Sequence, residues 1–283
     1  QNIKPVETDE FRIGVAETYD VIVTPKEERP YTLFAETMDR SGFVRGTLAP
    51  QVGMSAPIPE RRQRPMLTMA DMGMMHHEGM DSSSSMQHGG HKLGKPVSMN
   101  TSMPSDLHQG HELPTENLVS QVKHGPDLHG PGSVTMGEVA YRRLDHPGSG
   151  LGNDSWRVLT YSQLRALKRP PGRRAPTRQF DLHLTGNMQK YIWGFDGKKW
   201  SEADMIRFQY GERLRINMIN DTMMSHPIHL HGMWMDLYAG GNLDDNPRKH
   251  TVVVQPAELI TVDITADAPG QWAFHCHLLY HME

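Results

Sequence analysis

Leu214-Arg215-Ile216-Asn217-Met218-Ile219 and Ile260-Thr261-Val262-Asp263-Ile264 alternate apolar with polar side chains, and between them lies the β-branched run Thr251-Val252-Val253-Val254. Period-two alternation puts every second side chain on one face, the pattern of a strand resting one side on a core. With Phe180-Asp181-Leu182-His183-Leu184 upstream, these short runs and their spacing favour an all-β sandwich or barrel over residues 138–283. A short helix is expected at Ser162 to Leu167, and no repeat of solenoid period is visible.

Toward the N-terminus the pattern dissolves. Residues 51–137 are rich in Gly, Pro, Ser, Met and His, include Ser82-Ser83-Ser84-Ser85, and carry no periodic apolar face, which reads as a flexible insert. Before it, Phe11 to Ala16, Tyr19 to Val23 and Tyr31 to Ala35 are short β-rich runs separated by Pro and charged turns. Residues 1–50 are therefore expected to be the closing strands of another β-domain. The start at Gln1, without Met, fits a fragment or a processed product.

The 283 residues allow for about two domains. Only 37% are hydrophobic, with 26 Gly and 20 Pro, consistent with a folded body carrying an irregular insert. Net charge is −4, and the longest basic patches are Arg61-Arg62-Gln63-Arg64 and Lys168-Arg169 to Arg173-Arg174, which excludes a nucleic-acid-binding footprint. No apolar run approaches the roughly 18–20 residues of a membrane span, and Gln1-Asn2-Ile3-Lys4-Pro5 lacks the order of a signal peptide, so a soluble protein is expected. Twenty Met and seventeen His stand against one Cys. Thioether and imidazole both suit copper, and a lone thiol forms no intrachain disulfide, so cysteine usage leaves the compartment open.

Two blocks concentrate the chemistry: His226-Pro227-Ile228-His229-Leu230-His231-Gly232 and His275-Cys276-His277-Leu278-Leu279-Tyr280-His281. If both are extended, His229 and His231 share one face of their strand, and His275 and His277 share a face while Cys276 points the other way. Cys276 can then join one His from each block, with His226 and His281 available, in the His₂Cys set of a blue-copper centre. The four remaining His gather on the opposite face, where imidazoles suit further copper ions and an oxygen-reducing cluster. The peptide joining Cys276 to His275 and His277 would carry electrons between them. Zinc fits less well, since structural zinc sites favour several Cys at loop spacing. A nucleophilic cysteine leaves the His on both sides of Cys276 unexplained.

These blocks resemble the third and fourth copper-binding motifs of the multicopper oxidases, His-Pro-x-His-x-His-Gly and His-Cys-His-x₃-His. Trp193-Gly194-Phe195-Asp196-Gly197, Asn220-Asp221-Thr222-Met223-Met224-Ser225 and the Met-rich insert are similar to the bacterial copper-resistance protein A group of that family. The resemblance implies cupredoxin-like Greek-key sandwiches, three in the complete enzyme: the end of the second at 1–50 and a nearly complete third at 138–283. It implies that His226, Cys276 and His281 ligate a type 1 copper, that His229 binds the type 2 copper, and that His231, His275 and His277 bind the type 3 pair. The family's axial residue, five positions after the last His, falls beyond Glu283, so Met282 is not expected to serve. The family's first two His-x-His motifs have no counterpart here, leaving four of the cluster's eight His, so this chain alone is not expected to reduce oxygen efficiently.

Within the insert, ten Met lie between Met54 and Met103. Clustered thioethers favour soft Cu(I), making Met66, Met69, Met72, Met74, Met75, His76, His77 and Met80 a candidate Cu(I) store. His108, His111, His124 and His129 read as solvated or secondary ligands, and His146, His183 and His250 as structural. The function that the resemblance implies is a periplasmic copper-resistance oxidase. It would couple oxidation of Cu(I) or another reductant to reduction of oxygen to water, with the missing N-terminal cupredoxin domains as partners. The alternatives are a copper-sequestering protein without oxidase activity and a laccase-like phenol oxidase whose insert is a lid.

Overall fold

The computed structural model describes residues 2–69, 71–72, 142–169, 173–187 and 189–282. Its strands are β1 (Glu10–Phe11), β2 (Tyr31–Glu36), β3 (Phe43–Leu48), β4 (Val158–Leu159), β5 (Arg178–Asn187), β6 (Ile192–Phe195) and β7 (Arg213–Asn220). They continue as β8 (His226–Leu230), β9 (Met235–Leu237), β10 (Arg248–Lys249), β11 (Thr251–Val254), β12 (Leu259–Thr265) and β13 (Phe274–Cys276). The expected all-β fold is what the described residues adopt.

The body is a cupredoxin-like sandwich of a six-stranded sheet, β10-β9-β12-β7-β5-β6, and a three-stranded sheet, β11-β8-β13. Period-two alternation explains the packing: Leu214, Ile216 and Met218 of β7, Ile260, Val262 and Ile264 of β12, and Ile228 and Leu230 of β8 are all buried in one core. Arg213, itself buried, donates to Asp236 of β9 (2.9 Å), and Arg215 donates to Asp263 of β12 (2.8 and 3.1 Å). These ion pairs tie β7 to its neighbours on the sheet. The hairpin β2-β3 and the parallel pair β1-β4 form two smaller sheets.

Three local expectations are corrected. Of Phe11 to Ala16, only Phe11 lies in a strand, and Tyr19 to Val23 lies in none, with Ile22 87% exposed. Their β-branched residues fit a strand, but among the described residues no neighbouring strand pairs with their backbone, and a strand needs that partner. The helix at Ser162 to Leu167 is reduced to a single 3₁₀ turn, Tyr161–Gln163. Tertiary pairing overrides it: Lys4 donates to the Arg165 carbonyl (2.8 Å), Leu167 to that of Asn2 (2.8 Å) and Ala166 to that of Asp245 (2.6 Å).

The N-terminal segment docks on the same body. Lys249, fully buried, pairs with Glu17 at 2.7 Å, and the Tyr19 and Tyr161 hydroxyls donate to the same Glu17 oxygen (3.1 and 2.7 Å). Thr251 donates to the Ala16 carbonyl at 2.8 Å. Of the insert, residues 51–69 and 71–72 follow an irregular path, and the stretch from 73 to 137 lies outside the described residues.

Candidate metal centre

Antiparallel pairing of β8 with β13 sets Cys276 opposite Ile228 and His275 opposite His229. Paired residues share a face, so Cys276 and Ile228 turn to the core while His275 and His229 turn away from it. His226, two residues before Ile228, joins the Cys276 side. The 3₁₀ turn Leu279–His281 then brings His281 back over Cys276.

On that side Cys276 Sγ lies 3.6 Å from Nδ1 of both His226 and His281, and the two Nδ1 atoms are 3.2 Å apart. The centre of this triangle is about 2 Å from each corner, the length of a first-row metal's bond to nitrogen or sulfur. Among the described residues this is the one set of three ligating side chains whose donor atoms all lie within 4.8 Å of one another. One thiolate and two imidazoles in a buried site fit copper by donor chemistry.

Electrostatics match that use. Burial, with His281 adding to it, brings His226 down to about 3, and burial brings His281 to about 4, so both rings are neutral with lone pairs to give. Burial raises the Cys276 thiol to about 11, so a metal binding here must displace its proton.

Trp193 of β6 stacks on His281 with ring centres 3.8 Å apart and 22° between planes. Its ring lies against Gly186, its partner in the β5-β6 register, where a Cβ would come within 2.4 Å of the indole. Gly186 is therefore needed for the stack. A cavity of about 700 Å³ opens beside the triangle, with His226, Cys276, His281, Trp193, Trp272 and Met282 in its wall.

The opposite face is looser. His229, His231, His275 and His277 pack ring against ring, with centres 4.6 Å apart for His229 and His231, and 5.7 Å for His229 and His275. Nε2 atoms of His231 and His275 approach to 3.1 Å. His229 Nδ1 donates to the His250 carbonyl (2.8 Å) and His275 Nδ1 to the Cys276 carbonyl (2.9 Å), which puts the lone pair of each ring on Nε2. Burial, joined by the charges of His231, His250 and His275, brings His229 down to about 4 despite its hydrogen bond.

His250 belongs to this face as well, which its sequence position does not suggest. Its Nδ1 is 3.4 Å from His229 Nδ1, because the β11-β8 register sets Thr251 opposite His229. His146 faces Gln255 (3.2 Å) and buried His183 faces Asp221 (2.7 Å), both away from the cluster. Of the candidate Cu(I) store, Met66 and Met69 are exposed and Met72 is half-buried, while Met74, Met75, His76, His77 and Met80 lie outside the described residues.

Comparison with known proteins adds family likeness. Family models described as multicopper oxidase match residues 173–283 and 1–50. The chain is 45% identical to copper resistance protein A of Escherichia coli, over all of this chain and 49% of that protein. It is 46% identical to a copper resistance protein A homolog of Pseudomonas syringae pv. tomato, over all of this chain and 47% of that protein. It thus spans about half the length of these relatives. A blue copper oxidase structure from Nitrosomonas europaea is 24% identical, with TM-score 0.36 over 40% of this chain and 41% of that one.

Proposed function

This chain belongs to the multicopper oxidase family, and from that premise we propose that it is the C-terminal part of a periplasmic copper-resistance oxidase. In this reading His226, Cys276 and His281 would hold a type 1 copper, with Cu(I) or another reductant as the electron donor. The observation that carries it is the triangle of Sγ and two Nδ1 atoms with sides of 3.6, 3.6 and 3.2 Å, buried in a fold whose family uses copper. Copper bound there supplies one-electron redox chemistry.

The chain's own residues prepare the site. The sandwich excludes water from His226 and Cys276, Trp193 holds the plane of His281, and the cavity gives a reductant access to that side. Backbone from Cys276 to His275 and His277 joins the two faces covalently, giving electrons a short route. His229 would ligate the type 2 copper, and His231, His275 and His277 the type 3 pair. The remaining ligands would come from N-terminal cupredoxin domains, with residues 1–50 closing the second domain and 138–283 forming the third. Copper resistance rests on likeness to the copper resistance protein A relatives of E. coli and Pseudomonas, and the periplasmic setting on the family resemblance of the motifs. Met66, Met69, Met72, Met74, Met75, His76, His77 and Met80 would gather Cu(I), so deleting residues 54–103 is expected to lower Cu(I) stoichiometry.

The test is optical. Copper-loaded protein should show the intense blue absorption of a thiolate bound to Cu(II), and a copper-loaded protein without it would refute the type 1 assignment. The aromatic wall of the cavity, Trp193, Trp272 and Phe274, favours a second reading in which a flat phenol is the reductant. Stopped-flow reduction of the blue centre by Cu(I) and by a phenol separates the two.

A further inference from the structure

We propose that Thr222 is a positioning residue that locks His226 in its Nε2–H tautomer, aims the Nδ1 lone pair at Cys276 and thereby holds the site ready for copper. The proposal rests on the type 1 reading above but is carried by a separate observation: Thr222 Oγ1 and His226 Nε2 are 2.6 Å apart, and both residues are buried.

Hydrogen accounting fixes the direction of that bond. Asn220, fully buried, donates its amide hydrogens to the carbonyls of Met224 (2.8 Å) and Val254 (2.9 Å) and accepts from the Thr222 backbone N–H (2.9 Å), so its Oδ1 faces Thr222. The Thr222 hydroxyl therefore sits between two acceptors, Asn220 Oδ1 at 2.8 Å and the Met224 carbonyl at 3.1 Å. A hydroxyl has one proton. If that proton went to His226, both oxygens would face hydroxyl lone pairs at hydrogen-bond distance; with it on either oxygen only one does, and a buried site favours the smaller mismatch. The proton goes to an oxygen, and His226 Nε2–H donates to Thr222. Nδ1 is then the bare nitrogen, and it faces Cys276 Sγ at 3.6 Å.

The loop bearing Thr222 is pinned on both sides. The Asp221 backbone donates to the Leu184 carbonyl (3.1 Å) while its carboxylate meets His183 at 2.7 Å. The Asn220 backbone donates to the Glu258 carbonyl (3.0 Å) and accepts from Ala257 (3.0 Å). The hydroxyl is thus presented to His226 by rigid strand ends, the condition under which a partner behind a ligand tunes metal binding.

The test compares wild type with Thr222→Val, which keeps the shape and removes the hydroxyl, and Thr222→Ser, which restores it. Imidazole ¹⁵N shifts of metal-free protein read the His226 tautomer, and competition with a chelator reads copper affinity. Expected are a single Nε2–H tautomer in wild type and Thr222→Ser, and a mixed tautomer in Thr222→Val with about 10- to 100-fold weaker copper binding and a higher reduction potential. If Thr222→Val fails to fold, loss of the single tautomer in Thr222→Ala supports the proposal equally. A folded valine or alanine variant with wild-type tautomer and affinity overturns it. Wild type that binds copper without the blue band refutes the type 1 reading alone, because the metal-free tautomer reports on Thr222 independently.

Discussion

The two sides of β13 use the same residue type to different ends. On the Cys276 side three donors close into a triangle with His226 and Cys276 buried and His281 half-buried, and each has its ring or sulfur fixed by packing or a hydrogen bond. On the His275 side four imidazoles have His250 behind them and two, His229 and His275, are oriented by backbone carbonyls, yet no three donor atoms among them lie within 4.8 Å of one another. One side brings three donor atoms to a single point; the other holds four imidazoles whose donor atoms do not converge. Burial drives this contrast, since a dry core must satisfy its polar atoms from within.

The sharpest way to break the comparison is Cys276→Ser. It should abolish the blue absorption outright, whereas His231→Ala, across the strand, should leave that band in place; a band lost in both would mean the faces do not act separately. Next in size is copper's effect on the fold. A metal at a thousand times its Kd adds about 4 kcal/mol to stability, read as a rise in the urea midpoint, and Cys276→Ser should lose most of that rise. Trp193→Ala should follow, costing about 3–5 kcal/mol in unfolding free energy and freeing the His281 ring, while Trp193→Phe keeps most of the stability.

The effect that is smallest per step, although it accumulates over several pH units, concerns Glu258, whose backbone braces Asn220. Burial, only partly offset by hydrogen bonds and Arg143, raises its carboxyl from 4.5 to about 8. The folded state therefore holds this proton more tightly than the unfolded chain does. Its contribution is complete below pH 4.5 and drains away as pH rises through 8. Glu258→Gln should flatten the pH dependence of the urea midpoint across that window, by at most about 1.4 kcal/mol per pH unit, and identical slopes would remove Glu258 from the account.

Much of the comparison could be read before any coordinates. Alternation in Leu214 to Ile219 and Ile260 to Ile264 specified the sandwich, because a period-two pattern in a half-buried strand leaves one register. The same rule applied to His-Cys-His placed Cys276 opposite its neighbours. What stayed hidden depends on contacts distant in the chain. Ser162 to Leu167 has helical periodicity, but its backbone is claimed by Asn2, Lys4 and Asp245. His250 reaches His229 through a strand register 21 residues away, and Thr222 looks like any turn residue until Asn220 fixes which way its proton points. Trp193 gave a clue in its Gly-flanked motif, but its stack on His281 needs Gly186 on another strand.

The Lys249–Glu17 pair bears on how the gene can be cut. An expression plasmid beginning at residue 138, where strand patterning resumes, would leave the Lys249 ammonium in the interior with its carboxylate discarded. Stripping one partner from a buried ion pair costs about 3–5 kcal/mol, comparable to the whole margin of many domains. The shortest clone worth making carries Gly14 to Tyr19 as well, and the long stretch between can be replaced only by a linker that still lets those six residues return to β10 and β11.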